Sequence, residues 1–306
     1  MGDFVLAADL GGTNIRMAAV LPSGTVVSVV KEPTPHGVTP DGLIELIGKM
    51  ADECRTSLES GSRLAAFGIG VPAPASEHFN GVLTKLPNIP TLEGMNLKQA
   101  LSNLLQVPIR IENDATSAAI GEDWLGATRD VENSICVTLG TGIGGGIILD
   151  GKPRRGPDGT GGEIGHITVE PAGHACGCGS NGCVEQYASA TALVRQAHEA
   201  GMDITTSYDV FEKWKAGDPS AKRVFDTMGR YLGIMLGGLL NALNPDRIVV
   251  CGGVTAAWDA FAPRTEAEIA YRAYDAPARR ATLVPGQLGD NAGILGAARS
   301  AFLSVS

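Results

Sequence analysis

Three of the chain's six cysteines, Cys176, Cys178 and Cys183, fall within the short stretch HACGCGSNGCVE. Thiols this close together form a disulfide framework, a redox pair or a metal site. A disulfide would join two and strand the third, and C-x-C is not the C-x-x-C redox spacing. Tetrahedral zinc takes four nitrogen or sulfur ligands, and Cys₃His is a closed structural set. His166, ten residues before Cys176, completes that set. His174 is a rival, but a single residue separates it from Cys176, and chelation from there would strain the loop. A metal on one ring nitrogen of His166 fixes the tautomer and leaves the other nitrogen free to face a ligand.

Asp114 stands in PIRIENDATSAA, where Ile109 and Ile111 read as a strand and Ala115 opens a helix. A carboxylate at such a strand end lies at a cleft edge, beside a favourable helix N-terminus. It suits a general base, and Asn113 or Asp114 serves equally well as a helix N-cap. Spacing alone leaves both readings open.

Two glycine-rich turns follow apolar strands, Asp9-Leu10-Gly11-Gly12-Thr13 and Gly140-Thr141-Gly142-Ile143-Gly144-Gly145. The second satisfies G-x-G-x-x-G, but a dinucleotide fold needs a helix next, and Ile147-Ile148-Leu149 leads into a hairpin turn instead. Gly146 to Lys152 has P-loop spacing, yet Pro153 stands where a hydroxyl should meet magnesium. Both loops still make sense as phosphate cradles, since glycine lets backbone N–H groups approach a polyanion. Each alone is as readily a tight turn. Two at matching points could grip one nucleotide, and Asp9 would then be an outer ligand for Mg²⁺; otherwise it caps a turn.

The elements that must position these residues repeat. FVLAADLGGTNIRMAAVLPSGTVVSVVKE reads as strand, glycine turn, strand, Pro-Ser-Gly hairpin turn and strand. Residues 134–155 repeat that grammar, which predicts two similar α/β halves facing each other. Apolar spacing predicts helices over Leu43–Leu58 and Ala221–Leu243, the latter ended by Asn244-Pro245. Arg247–Cys251 reads as a strand leading into Gly252-Gly253. A last helix, Ala292–Phe302, should dock on the N-terminal half.

The 306 residues suffice for two domains, with 44% hydrophobic and 19% charged content. A net charge of −9 argues against a nucleic-acid surface. No leader is visible, since Asp3 and Asp9 bracket the first apolar run, and Leu232–Leu243 is too short to span a bilayer. Cys54, Cys136 and Cys251 suit buried thiols in a reducing cytoplasm.

Together the two loops, Arg16 after the first, Glu112-Asn113-Asp114, Gly162-Glu163-Ile164-Gly165-His166, the cysteine cluster and Gly252-Gly253 resemble the ROK (repressor, open reading frame, kinase) family. That resemblance covers almost the whole chain, and Glu185 to Thr191 looks most like the family's glucokinases. It implies the actin-like ATPase, ribonuclease H-like duplicated fold, two α/β domains around a cleft. The expected division is 1–113 with 289–306 against 114–288.

The activity implied is ATP-dependent phosphorylation of a hexose, glucose to glucose 6-phosphate. The resemblance makes Asp114 the base and gives Asn88, Asn113, Asp114, Glu163, His166 and Glu185 to the sugar. It gives Asp9, Gly11, Gly12, Thr13, Arg16, Gly140, Thr141, Gly142, Gly252 and Gly253 to Mg·ATP, with His166, Cys176, Cys178 and Cys183 on structural Zn²⁺. A homodimer is the expected assembly, with no nucleic-acid or membrane partner. Two departures touch the sugar pocket: Pro72-Ala73-Pro74 replaces Pro-Gly-Pro, and no Trp follows Pro87-Asn88-Ile89-Pro90. Fructose, mannose and N-acetylmannosamine are competing acceptors, and polyphosphate a competing donor. A sugar-sensing repressor needs a helix-turn-helix ahead of the first phosphate strand, and Phe4 leaves no room for one. A non-catalytic scaffold would have no use for Asp9, both loops and Asp114.

Overall fold

In the computed structural model, which describes residues 2–35, 37–74, 80–84, 86 and 89–305, the first apolar run is β1 (Asp3–Leu10). Its side chains alternate between two cores: Phe4, Leu6, Ala8 and Leu10 on one face, Val5 and Ala7 on the other. β1 pairs antiparallel with β2 (Asn14–Val20), which pairs with β3 (Val26–Pro33). Gly24 supplies the positive φ of the turn between them. After α1 (Pro40–Arg55), β4 (Arg63–Val71) joins β1 in parallel. Beyond α2 (Leu97–Leu105), β5 (Ile109–Asn113) completes the order β3-β2-β1-β4-β5.

α1 begins three residues before the expected Leu43, because Thr39 accepts the Gly42 N–H as N-cap and Pro40 occupies the first turn. It ends three residues before Leu58 for a similar reason: Thr56 turns its hydroxyl back onto the Glu53 carbonyl.

α3 (Asp114–Leu125) leads to the second sheet, β6 (Ser134–Leu139), β7 (Ile143–Leu149) and β8 (Lys152–Pro153). The β7–β8 turn uses Asp150 and Gly151, both at positive φ, as a two-residue hairpin requires. Four helices follow: α4 (Glu185–Ala188), α5 (Ala190–Glu199), α6 (Ser207–Lys215) and α7 (Pro219–Leu243). β9 (Arg247–Cys251) then pairs in parallel with β6, and, after α8 (Trp258–Arg272) and α9 (Asp275–Arg280), β10 (Thr282–Pro285) pairs with β9. The order β10-β9-β6-β7-β8 is the first sheet's topology again, read from the other edge. The repeated grammar is therefore a repeated fold.

α7 ends as expected at Asn244, whose φ of 49° starts a left-handed turn. It lies so close to α8 that methyls on Gly229 or Gly233 would crowd the Phe261 and Thr265 carbonyls.

α1 and α2 cover one face of the first sheet, and α10 (Ala292–Phe302) the other. One face of the second sheet forms a core with α5, α7 and α8; α3 covers the opposite face. α10 thus docks on the N-terminal half, where Gly68 of β4 leaves room for its backbone. α3 and α10 lie against each other between the sheets. Among the described residues, no helix is long and apolar enough to cross a membrane.

Candidate active site

The strand-to-helix junction divides the two readings of Asn113 and Asp114. Asn113 is the N-cap: its Oδ1 accepts the Thr116 N–H at 3.0 Å. Its Nδ2 reaches the Ala73 carbonyl at 3.5 Å, which brings the Pro72-Ala73-Pro74 segment to the same strand end. Asp114 accepts the Ala115 N–H at Oδ1, 2.8 Å away. Burial, reinforced by the nearby charges of Asp9 and Glu163, pushes the Asp114 carboxyl up to about 6. A carboxylate poised there is a competent proton acceptor near neutral pH. Burial also raises Asp9, against the pull of Arg16.

The first glycine loop is braced from its own hairpin. The Thr34 hydroxyl donates to the Gly11 carbonyl at 2.8 Å, and the Thr34 N–H to the Thr13 carbonyl at 2.9 Å. Gly12 and Thr13 are exposed at its tip. Arg16 turns away from that tip, toward the Asp290 carbonyl and, at 3.1 Å, the Asn291 side chain.

The second loop is braced from elsewhere. Its Gly140 and Thr141 carbonyls accept from the Ala190 N–H at 2.9 Å and the Thr191 hydroxyl at 2.8 Å, both at the start of α5. The Ile143 N–H donates to Glu185 Oε2 at 2.9 Å. Thr141 is exposed, and it lines a cavity of ≈630 Å³ with Thr191, Val194, Arg195 and Thr206. Gly144, Gly145 and Gly146 lie in β7, where missing side chains let α3 and residues 162–164 pack close. At the end of β9, Gly252 has φ 91° against the Leu139 backbone, a position only glycine fits; Gly253 is open.

His166 closes a one-turn 3₁₀ helix, Ile164–His166, that follows Glu163. Its Nδ1 lies 3.6 Å from Cys176 Sγ, and Cys178 Sγ lies 3.6 Å from Cys183 Sγ. All four ligand atoms fall within 4.8 Å of one another. Ligands at about 2.3 Å in a tetrahedron stand roughly 3.7 Å apart, so the set fits zinc. Short bridges between Thr168 and Cys183 and between Ala175 and Asn181 fold the cysteine segment into place. His166 Nε2 points the other way, 3.9 Å from Glu163 Oε2. His174 is occupied outside this cluster, with Nε2 2.9 Å from Arg195 and its ring against Tyr187.

Asp9 and Glu163 thus lie close enough to act on the Asp114 carboxyl, Glu163 meets His166, and Glu185 holds the second loop, while Asn88 lies outside the described residues. Two contacts were missed from sequence. Arg155, just beyond β8, meets buried Glu112 of β5 through Nε at 2.8 Å, joining the two sheets beside the site. Arg16 bonds the segment entering α10. Neither has a local spacing signal, because the partners lie 43 and 274 residues apart.

The sequence profile of the ROK family matches residues 5–302. A glucokinase of Halalkalibacterium halodurans is 36% identical, covering 95% of this chain and 92% of its own. A ROK hexokinase from Thermus thermophilus superposes with a TM-score of 0.86 at 35% identity, over 99% of each chain. A ROK glucokinase from Streptomyces griseus, solved with glucose and AMPPNP, superposes at 0.82 with 33% identity, over 98% of this chain and 99% of its own.

Proposed function

The chain belongs to the ROK family, and from that premise we propose that it is a glucokinase, transferring the γ-phosphoryl group of ATP to the 6-hydroxyl of glucose. The observation that carries this reading is the position of Asp114. Its carboxyl feels Asp9 from the first loop and Glu163 from the histidine turn, so it stands between a donor side and an acceptor side.

In the reaction, an Asp114 carboxylate oxygen takes the proton of the sugar hydroxyl as that oxygen attacks the γ-phosphorus. The bond from the γ-phosphorus to the bridging oxygen breaks, and ADP leaves with the electron pair. Gly11, Gly12 and Thr13 hold the phosphates from one side and Gly140, Thr141 and Gly142 from the other. The nucleoside extends toward the ≈630 Å³ cavity, with Gly252 and Gly253 at the neighbouring strand end. Glu163, Glu185 and the Nε2 face of His166 orient the sugar, with Asn113 and Asn88 assigned to the same ligand. Asp9, half-buried and without a hydrogen-bond donor on its carboxylate among the described contacts, would hold magnesium through water. That ion would neutralise phosphate charge.

His166, Cys176, Cys178 and Cys183 would hold a structural zinc, which supplies a rigid clamp and no chemistry. The boundary between the two working domains falls at α3, with 1–113 and 289–306 on one side. The buried free thiols Cys54, Cys136 and Cys251 suit a reducing cytoplasm, and a homodimer is the assembly expected.

A coupled assay with ATP over glucose, mannose, fructose and N-acetylmannosamine tests the reading. Glucose should give the highest kcat/KM, and Asp114→Asn should lower kcat about 10²–10⁴-fold with sugar affinity retained. Preference for another hexose, or near-normal turnover in Asp114→Asn, would overturn the corresponding half. Zinc measured by mass spectrometry should persist in His174→Ala and vanish in Cys183→Ser.

A further inference from the structure

Glu122 is wholly buried near the end of α3, and no Lys or Arg pairs with it among the described residues. Its carboxylate is held by backbone instead. Oε2 accepts the Ala127 N–H at 2.7 Å and the Gln287 N–H at 3.1 Å, and Oε1 accepts the Leu288 N–H at 3.0 Å. The Cys251 thiol lies 3.8 Å from Oε1. A buried carboxylate is tolerable only when charge-assisted bonds of this kind replace water.

The donors come from the two places where the chain passes between the sheets. The outward passage runs from β5 through α3 and residues 126–133 to β6. The return runs from β10 through residues 286–291 to α10. Ala127 belongs to the first passage, Gln287 and Leu288 to the second, and they are otherwise far apart in sequence. Glycines make the room. A Cβ on Gly126 would collide with Oε2, and one on Gly286 would stand 2.8 Å from Oε1. Beside it, Gly121 of α3 and Gly296 of α10 let the two helices touch backbone to backbone, where methyls would run into the Ala292 and Ser117 carbonyls.

We infer that Glu122 is a positioning residue for the kinase reaction, a pin that locks both inter-sheet passages into one joint about which the two halves close on sugar. It lies outside the substrate site and acts through geometry: with the pin in place, the halves approach along one path that brings the two glycine loops together across Asp114. Without it, the outward and return passages move independently. The inference rests on the kinase reading for its choice of ligand.

The test uses the full-length, zinc-replete chain. Glu122→Gln keeps the shape but replaces one acceptor oxygen by an NH₂ that faces the backbone donors. Gly286→Ala keeps the carboxylate and crowds it. Phe225→Leu, in the core of the second sheet, serves as a control for stability alone. Small-angle scattering with and without saturating glucose, and calorimetry for glucose, read the joint.

Both joint variants should weaken glucose binding about 3- to 30-fold and reduce the glucose-driven fall in radius of gyration. Phe225→Leu should lower Tm with wild-type compaction and glucose Kd. If Glu122→Gln fails to fold, Gly286→Ala still decides. Wild-type compaction and affinity in Gly286→Ala, or in Glu122→Gln at reduced Tm, overturns the pin. A wild-type chain that phosphorylates glucose without compacting overturns the joint and leaves the kinase reading standing. One that phosphorylates no hexose overturns both.

Discussion

The two glycine loops occupy the same place in two copies of one topology, yet they are held in different ways. The first is braced by Thr34, from the end of its own three-stranded meander, and is followed by Arg16, which reaches the segment entering α10. The second is braced by Glu185, Ala190 and Thr191, which continue directly from the cysteine segment. Equivalent turns have thus been wired to different neighbours. On the kinase reading, that wiring would make the first loop answer only to the donor, whereas the second would report the state of the sugar side to the phosphates.

That difference is easiest to break at Asp9. Asp9→Asn removes the charge beside the first loop and should lower kcat by about 10²-fold or more, with a steeper Mg²⁺ requirement. Glucose Kd without nucleotide should stay at its wild-type value. A matching loss of sugar affinity would show that the first loop is not confined to the donor.

Glu185→Gln should give the opposite signature at a smaller scale. Its carboxylate accepts the Ile143 N–H and is proposed to hold the sugar as well, so KM for glucose and for ATP should rise together, each about tenfold. Kinetics in which only one substrate suffers would uncouple the second loop from the sugar. Thr191→Val, which removes one brace on the Thr141 carbonyl, should raise the ATP KM only a few-fold and spare glucose. A larger effect on glucose than on ATP would reverse the assignment of that contact.

Much of this was legible in the sequence, for identifiable reasons. The duplicated sheets follow from two short patterns of strand, glycine turn and strand, because period-two alternation and turn residues are local signals. The cluster of His166 with Cys176, Cys178 and Cys183 was legible because three thiols and a histidine lie within 18 residues. The structure groups His166 with the three thiols and leaves His174 against Arg195 and Tyr187. The junction at 113–114 could not be divided from spacing, because Asn and Asp both cap helices; the structure gave the cap to Asn113. The pairing of Glu112 with Arg155 and the backbone donors around Glu122 were invisible. They depend on segments brought together only when the two sheets assemble. The glycines at 126 and 286 carry no motif of their own; they make sense only once the carboxylate between them is seen.

Asp114 also carries a stability signature. Its folded pKa lies above the ordinary 3.8, so the folded state holds its proton more tightly than the unfolded chain does. The resulting contribution is full below pH 4 and is lost as the pH rises through about 6. At pH 8, ligand-free Asp114→Asn should therefore be more stable than wild type by about 1–3 kcal/mol in thermal denaturation.

The central claim is that Asp114 is the base, poised by burial between the two loops. The most direct measurement is kcat/KM for glucose against pH at saturating Mg·ATP. Because the base must be ionised, the wild-type profile should fall with unit slope as the pH drops through about 6, and Asp114→Asn should be low and flat across that range. A wild-type profile with no break near 6, or an Asp114→Asn profile that keeps the same break, would contradict that claim.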